Sequence, residues 1–311
     1  NQGLQIMFAM MNDARFGVGI QGLSIANRAF HQAKSYAAER VQGVPIDRNL
    51  GDTIQHHPDV MRLLSGMRAE IEAMRGIMVY SAAAKDLASN GLDDADFWKA
   101  RSELMIPILK GWLTERSVSI ASDGVQVHGG MGFIEETGAA QHYRDARILP
   151  IYEGTTAIQA NDLMFRKTLR DQGVGLRALV SDIRATAENL SPADGAIGTA
   201  AQALVLAADS ADDAIGAILT GGMSMRESGA VSVPLLMMLG TLCGGWMTLR
   251  SAQAAHEQRN SGNWDAAFLD AKIAYASVFA TQSLPQVSRY ALTIQAGGSA
   301  VEAISPEMLW A

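Results

Sequence analysis

The stretch "MFAMMNDARFGVGIQGLSIANRA", Met7 to Ala29, decides the fold class. Apolar or small residues recur in it at steps of three and four, which is the periodicity of one face of an α-helix. These positions are Met7, Met11, Ala14, Val18, Gly22, Ile25 and Ala29. The pattern predicts one long helix that ends near Arg40.

Two more long helices and the start of a fourth are predicted downstream. Residues 41–58, "VQGVPIDRNLGDTIQHHP", contain glycines and prolines and predict a loop. A second helix is expected from about Asp59 to the stop signal Asn90-Gly91, and a third from Ala95 to about Val127. A fourth should begin at Thr155 or Thr156. Long helices with short connections form an antiparallel four-helix bundle.

The pattern changes at "RDQGVG", residues 170–175, where we place a domain boundary. Beyond it we expect an alanine-rich helix near residues 196–219 and two longer helices on either side of "NSGNWD". No run of alternating β-branched residues predicts a strand. The predicted fold class is therefore all-α, with a four-helix bundle in residues 1–170 and a second helical domain in residues 171–311.

Charge and cysteine content exclude several classes of protein. The 311 residues include 32 acids and 25 scattered bases, a net charge of -7, which argues against nucleic acid as a partner. Cys243 is the single cysteine, so no disulfide framework or zinc pair is available, and a reducing, cytoplasmic setting is expected. The adjacent His56 and His57 point apart on regular backbone, so no metal site is predicted.

The uncharged span from Ser228 to Leu249 is long enough to cross a bilayer. It contains Pro234 and several glycines, and no basic cluster lies at either edge. A buried helix is the favoured interpretation. Gly240 and Gly244 form a GxxxG pattern, which permits close helix packing in a soluble core as well as in lipid.

Two glycine-containing segments carry candidate chemistry. "VQVHGGMGF", residues 125–133, could bring backbone amides close to a phosphate, although a C-terminal helix cap is favoured on pattern alone. "IYEGTTAIQ", residues 151–159, places Glu153 before a helix whose Thr156 and Gln159 have capping-box spacing. Its alternative is a surface acid stabilised by the helix dipole.

Two arginines of the first helix are also candidates. Arg15 and Arg40 are 25 residues apart, close to seven helical turns, so both are predicted on one helix face. Each could bind a phosphate. The alternative is that they are solvated ends of an amphipathic helix.

Four motifs in order, "MNDAR", "YAAERVQG", "DGVQVHGGMGFIEE" and "YRDARILPIYEGT", resemble the C-terminal helical domain of acyl-CoA dehydrogenases over about residues 1–170. These flavoenzymes introduce a trans-2 double bond into acyl-CoA thioesters. The tail "FLDAKIAYASVFATQSLPQVSRYALTIQAGG" resembles the extra helical domain of a subgroup that includes 3-methylthiopropanoyl-CoA dehydrogenases. The resemblance therefore covers both predicted domains.

The resemblance implies that Glu153 is the base that removes the α-proton while a hydride leaves the β-carbon for FAD. It also implies a role for Arg40 at the FAD pyrophosphate of a neighbouring subunit. The remaining FAD positions implied by the resemblance are His57, Gln126, Val127, His128, Gly129, Gly130, Gly154 and Thr155. Arg15 matches an arginine on the CoA-thioester side of the pocket, and Asn12 stands where the family often has Asp.

The resemblance further implies an acyl-CoA substrate, an electron-transferring flavoprotein as electron acceptor, and a homo-oligomer, either a dimer or a tetramer. The family also has an N-terminal helical domain and a middle β-domain, which these residues lack, and the chain does not start with Met. We therefore expect a C-terminal fragment that is inactive alone. The alternatives are an acyl-CoA oxidase, which passes electrons to oxygen, and a non-catalytic helical interaction module.

Overall fold

The computed structural model describes residues 3–90, 94–259 and 261–311. Within these ranges the chain forms helices joined by short turns, and the β-structure is limited to an isolated bridge between Val41 and Thr53. The predicted all-α fold class is confirmed.

Three long helices dominate the first half of the chain, and α1 and α2 both pack against α3. The helices of this half are α1 Gly3–Glu39, α2 Pro58–Ser89, α3 Ala95–His128, α4 Gly130–Phe133, α5 Ala139–Ile148 and α6 Thr156–Asn161. The predicted end of α1, start of α2 and both ends of α3 agree with these bounds to within one residue. The predicted stop at Gly91 lies outside the described residues.

The predicted fourth helix is interrupted. After six residues α6 changes into a π-helix, Asp162–Leu169. The Thr168 hydroxyl donates to the carbonyl of Leu163, five residues earlier, at 2.8 Å. The preceding helix α5 was not predicted, because only Ala139 and Ala146 are buried in it and it therefore lacks an apolar stripe.

The buried face of α1 differs from the predicted stripe near its start. Ala14 is exposed, whereas the next residue, Arg15, is buried with 7% of its surface accessible. Val18, Gly22 and Ala29 are buried as predicted. The two arginines of the first helix differ in environment, because Arg15 is buried whereas Arg40 is exposed and lies one residue beyond the helix end.

The second half consists of seven further helices among the described residues. They are α7 Val174–Leu190, α8 Gly195–Thr220, α9 Met225–Ala230, α10 Ser232–Gln258, α11 Ala266–Gln282, α12 Gln286–Gln295 and α13 Ser299–Glu302. The predicted alanine-rich helix is α8, and the two helices on either side of "NSGNWD" are α10 and α11. One-turn 3-10 helices occur at Arg48–Leu50, Ile54–His56, Glu135–Thr137 and Pro306–Trp310.

Helix α10 is long and apolar enough to cross a membrane, yet 83% of its apolar window is buried inside the protein. This is the burial of a core helix, as predicted. A Cβ on Gly240 would lie 2.2 Å from the Trp112 ring, and one on Gly244 would lie 2.7 Å from the Phe279 ring. The two glycines therefore make room for aromatic side chains rather than for a helix backbone.

The two halves of the chain share one hydrophobic core, since buried residues of α2 and α3 cluster with those of α7, α8 and α10. Ion pairs also join the halves. Buried Arg101 of α3 donates to Asp182 of α7 at 2.7 Å. The domain boundary at residue 170 stays a prediction.

Candidate active site

Glu153 lies in the turn between α5 and α6 and has an uncommon backbone conformation. Its φ is 54° and that of Gly154 is 85°. A non-glycine residue rarely adopts positive φ, and such residues are concentrated at functional sites. The Glu153 side chain is exposed, three residues before the first residue of α6.

Two buried side chains hold the carbonyl groups of this turn. The Lys110 ammonium donates to the Gly154 carbonyl at 2.6 Å. The Gln159 amide nitrogen lies 3.3 Å from the carbonyl oxygens of both Glu153 and Gly154. Lys110 and Gln159 are both 0% exposed, so the two donors lie in the protein interior and reach the turn from beneath.

The start of α6 is fixed by two threonines. Thr155 is the N-cap, and its hydroxyl accepts from the Ile158 amide at 3.3 Å. The Thr156 hydroxyl donates to Glu115 at 2.5 Å. The predicted capping box between Thr156 and Gln159 is therefore wrong, because Thr155 is the N-cap and the buried Gln159 donates to the carbonyls of the turn instead.

Lys110 has a distinctive electrostatic environment. Desolvation lowers the pKa of its ammonium to about 8, and the nearby positive charge of Arg15 acts in the same direction. Glu115 and Glu153 act in the opposite direction and favour the charged form. At neutral pH the ammonium therefore remains mostly charged and can donate to Gly154.

Arg15, predicted at the substrate, lies near this network. Its guanidinium is 3.9 Å from the Asp162 carboxylate, and both side chains are largely buried. Its Nε is buried and has no hydrogen-bond partner among the described residues. Asn12, one helical turn earlier, is half-buried. On the other side of the turn, the Tyr152 hydroxyl donates to Gln21 of α1.

A second group of residues lines a cleft of about 570 Å³ at the C-terminal ends of α1 and α3. The cleft brings together most of the predicted FAD positions: Arg40, His57, Gln126, Val127, His128, Gly129 and Gly130. The His128 ring stacks on Tyr36 with ring centroids 4.5 Å apart, and its Nδ1 lies 2.7 Å from the carbonyl of Gly124. Arg40 donates to the Gln42 side chain at 3.2 Å, and the His57 ring lies 2.9 Å from the Gln42 carbonyl.

The glycines of this cleft both end a helix and leave backbone accessible. Gly129 caps α3 with φ 60° and donates to the Gln126 carbonyl, so the predicted C-terminal cap is confirmed. Among the described residues, and apart from chain neighbours, no heavy atom lies within 4 Å of the position that a Cβ would take on Gly129 or on Gly130. A ligand can therefore approach the backbone here.

The predicted positions thus fall into two groups. Gly154 and Thr155 belong to the Glu153 turn and do not line the cleft at Gly129. Sequence reasoning missed Lys110 and Glu115. A signal for Lys110 was present, because it is the one charged residue within the apolar run "MIPILKGWL" of residues 105–113.

Two families of known proteins match parts of this chain. The family "Acyl-CoA dehydrogenase, C-terminal domain" matches residues 1–167, and "Acetyl-CoA dehydrogenase C-terminal like" matches residues 179–305. The chain is 47% identical to the 3-methylmercaptopropionyl-CoA dehydrogenase of Ruegeria pomeroyi, over 93% of this chain and 50% of that protein. It is 33% identical to a broad-specificity linear acyl-CoA dehydrogenase of Mycobacterium tuberculosis, over 92% of this chain and 49% of that protein.

Among solved structures, Caenorhabditis elegans ACDH-11 in complex with C11-CoA has a similar fold. The TM-score is 0.75 at 18% identity, over 97% of this chain and 47% of the other. The chain spans about half the length of the curated relatives named above. The chain belongs to the acyl-CoA dehydrogenase family and corresponds to its C-terminal helical part.

Proposed function

We propose that this chain supplies the catalytic base and part of the cofactor site of an FAD-dependent acyl-CoA dehydrogenase. The observation that carries the proposal is the conformation of Glu153, whose positive φ places an exposed carboxylate on a turn held from beneath by Lys110 and Gln159. A surface acid that only stabilised a helix dipole would not need this conformation.

In the proposed reaction, the Glu153 carboxylate removes the α-proton of an acyl-CoA thioester. FAD is the cofactor of the family, and when bound it would accept the hydride that leaves the β-carbon of the substrate. The product is the trans-2-enoyl-CoA. The turn also directs two amides outward, because a trans peptide places its N–H opposite its C=O and the carbonyls of Glu153 and Gly154 point inward. The N–H groups of Gly154 and Thr155 are therefore available to a bound ligand.

The cleft at Gly129 fits one end of FAD. Arg40 provides a positive charge for a pyrophosphate, and the open backbone of Gly129 and Gly130 permits close approach of phosphate or ribose oxygens. His57 and the backbone of residues 126–128 complete the wall. Asn12 and Arg15 are proposed on the thioester side, and the unpartnered Nε of buried Arg15 supports a polar ligand there.

The substrate class is an acyl-CoA, and the name of the Ruegeria pomeroyi relative makes 3-methylmercaptopropionyl-CoA the first compound to try. We further propose an electron-transferring flavoprotein as electron acceptor, a homo-oligomer and a cytoplasmic location. Exposed apolar side chains near the cleft support an interface, since Ile46 is 86% exposed and Phe133 is 82% exposed.

The test uses the full-length protein that carries this chain. We expect it to purify with FAD absorbance and to oxidise acyl-CoA, and Glu153→Gln should lower turnover by at least about a hundredfold while FAD stays bound. Glu188→Gln changes an exposed acid of α7 and is the matched control. A colourless full-length protein that stays inactive with added FAD would favour a non-catalytic helical module.

A further inference from the structure

The turn after Glu153 contains a glycine, so its backbone needs an external restraint. Gly154 has φ 85°, and glycine populates many conformations at similar energy. A flip of the peptide between Gly154 and Thr155 would reverse the directions of the Gly154 carbonyl and the Thr155 amide. It would also change ψ of Gly154, the residue directly after Glu153.

We propose that Lys110, assisted by Gln159, is a positioning residue for Glu153. The Lys110 ammonium bonds the Gly154 carbonyl at 2.6 Å and fixes that peptide plane. Gln159 bonds the carbonyls of Glu153 and Gly154 and fixes the preceding plane. This inference rests on the proposed function of Glu153, and it assigns the residues that hold the base in place.

The burial of Lys110 supports a role beyond packing. A fully buried lysine loses the hydration of its ammonium, and desolvation accordingly lowers the pKa of Lys110 to about 8. Its neighbours along α3, namely Leu109, Trp112 and Leu113, are apolar, and all three are at most 1% exposed. An apolar side chain would fill this position without the desolvation cost but could not hold Gly154.

Neighbouring groups set the position of the ammonium within this site. Glu115 accepts a hydrogen bond from Thr156, so the acid that attracts Lys110 is itself tied to the first residue of α6. Arg15, on α1, repels the ammonium. Lys110, on α3, thus lies between charged groups that belong to α1 and to the part of α3 beside α6. A shift of any of these helices would move the ammonium relative to the Gly154 carbonyl that it bonds.

The experiment compares the full-length flavoprotein with its Lys110→Met variant by anaerobic mixing with acyl-CoA. We expect the rate of flavin reduction to fall by about 10- to 100-fold, since small misplacement of a catalytic group has effects of this size. FAD content and the KM for acyl-CoA should change less than about threefold, because Lys110 contacts neither ligand. The isotope effect of α-deuterated substrate should increase, because proton removal becomes slower.

Lys99→Met is the matched control, since Lys99 is an exposed lysine of the same helix α3. Hydrogen exchange of the peptide segment around residues 151–158 provides a second measurement. We expect faster exchange in Lys110→Met and no change in Lys99→Met. Flavin reduction at the wild-type rate in Lys110→Met would overturn the proposal, and so would slow reduction with unchanged exchange.

If Lys110→Met does not fold with FAD, Gln159→Leu takes its place and is judged by the same two measurements. We expect a loss of several-fold in the rate of flavin reduction with faster exchange of the turn, and unchanged values would overturn the proposal. If the wild-type protein itself neither binds FAD nor oxidises acyl-CoA, the proposed function fails. Hydrogen exchange then decides separately whether Lys110 holds the turn.

Discussion

Glu153 and Gln172 are the two non-glycine residues with positive φ in the described part of the chain, and each directly precedes a glycine. Gln172 is exposed in the turn before α7, whereas Glu153 lies above buried donors from Lys110 and Gln159. The conformation alone therefore does not identify a catalytic position. The buried support beneath it distinguishes Glu153.

Gly154 should be intolerant of a side chain. A Cβ there would lie 2.8 Å from the Gln159 amide nitrogen and 3.2 Å from the Ile158 side chain, and φ is 85°. We expect Gly154→Ala to lower the free energy of unfolding by about 1–3 kcal/mol, measured by urea denaturation. Gly66→Ala, in the middle of α2 with open space at its Cβ, should be neutral or slightly stabilising. Equal effects of the two substitutions would contradict this account of the turn.

The sequence pattern made Glu153 a candidate, because an acid between an apolar run and a helix start can be read directly, and the resemblance to acyl-CoA dehydrogenases implied its role as the base. It was not sufficient to find its support. Lys110 is 43 positions earlier on another helix, and only the packing of α3 beneath the turn brings its ammonium to Gly154. The residue that caps α6 could not be predicted either. Gln159 donates to the carbonyls of Glu153 and Gly154 instead of completing a capping box.

Long helices were predicted well because each presents many apolar residues to one core. The start of α2 at Pro58 and the end of α3 at His128 coincide with clear signals, a proline at the first turn and a glycine after the last. Helix α5 gave no such signal, and the change from α6 to a π-helix at Asp162 adds one residue per turn without a proline or glycine to mark it.

Helix α3 carries a titrating group that should be visible in the pH dependence of stability. The pKa of Lys110 is lowered from 10.5 to about 8 in the folded protein, by desolvation and by Arg15, against the opposite effects of Glu115 and Glu153. Below about pH 8 both folded and unfolded states carry the charge, and the burial cost is present in full. Between about pH 8 and 10.5 the unfolded state binds more protons, so the free energy of unfolding should rise with pH.

This contribution is measured by urea denaturation of the wild-type chain and of Lys110→Met across that pH range. The wild-type free energy of unfolding should rise relative to that of the variant, at about 1.4 kcal/mol per unit of pKa difference. The comparison removes contributions from other titrating groups. A difference between the two proteins that stays constant with pH would show that Lys110 keeps its ordinary pKa.

The two halves of the chain form one structure, since helices predicted in separate domains share a hydrophobic core and are joined by the ion pair between Arg101 and Asp182. Arg116 of α3 bonds Glu70 of α2 through two contacts of 2.8 Å, and the Ser283 hydroxyl, in the turn after α11, donates to the same carboxylate at 2.9 Å. Composition and periodicity predict a boundary at residues 170–175, but they could not show that the helices on its two sides pack together.

Removal of Arg116 should therefore destabilise the whole chain. Arg116→Met leaves the Glu70 carboxylate buried with Ser283 as its remaining donor, and we expect a loss of about 3–5 kcal/mol in the free energy of unfolding. Arg144→Met is the matched control, because it breaks a fully exposed pair with Glu135 that solvent screens and should change stability little. Similar losses in the two variants would contradict the importance of the buried pair.

If Glu153 removes the α-proton, the rate of flavin reduction in a single turnover must depend on its carboxylate. The full-length wild-type protein and Glu153→Gln, both loaded with FAD, are mixed anaerobically with acyl-CoA, and the flavin absorbance is followed. We expect the wild type to lose its flavin absorbance rapidly, and Glu153→Gln to bind the same amount of FAD but reduce it at least about a hundredfold more slowly. Reduction at the wild-type rate in Glu153→Gln would contradict the account.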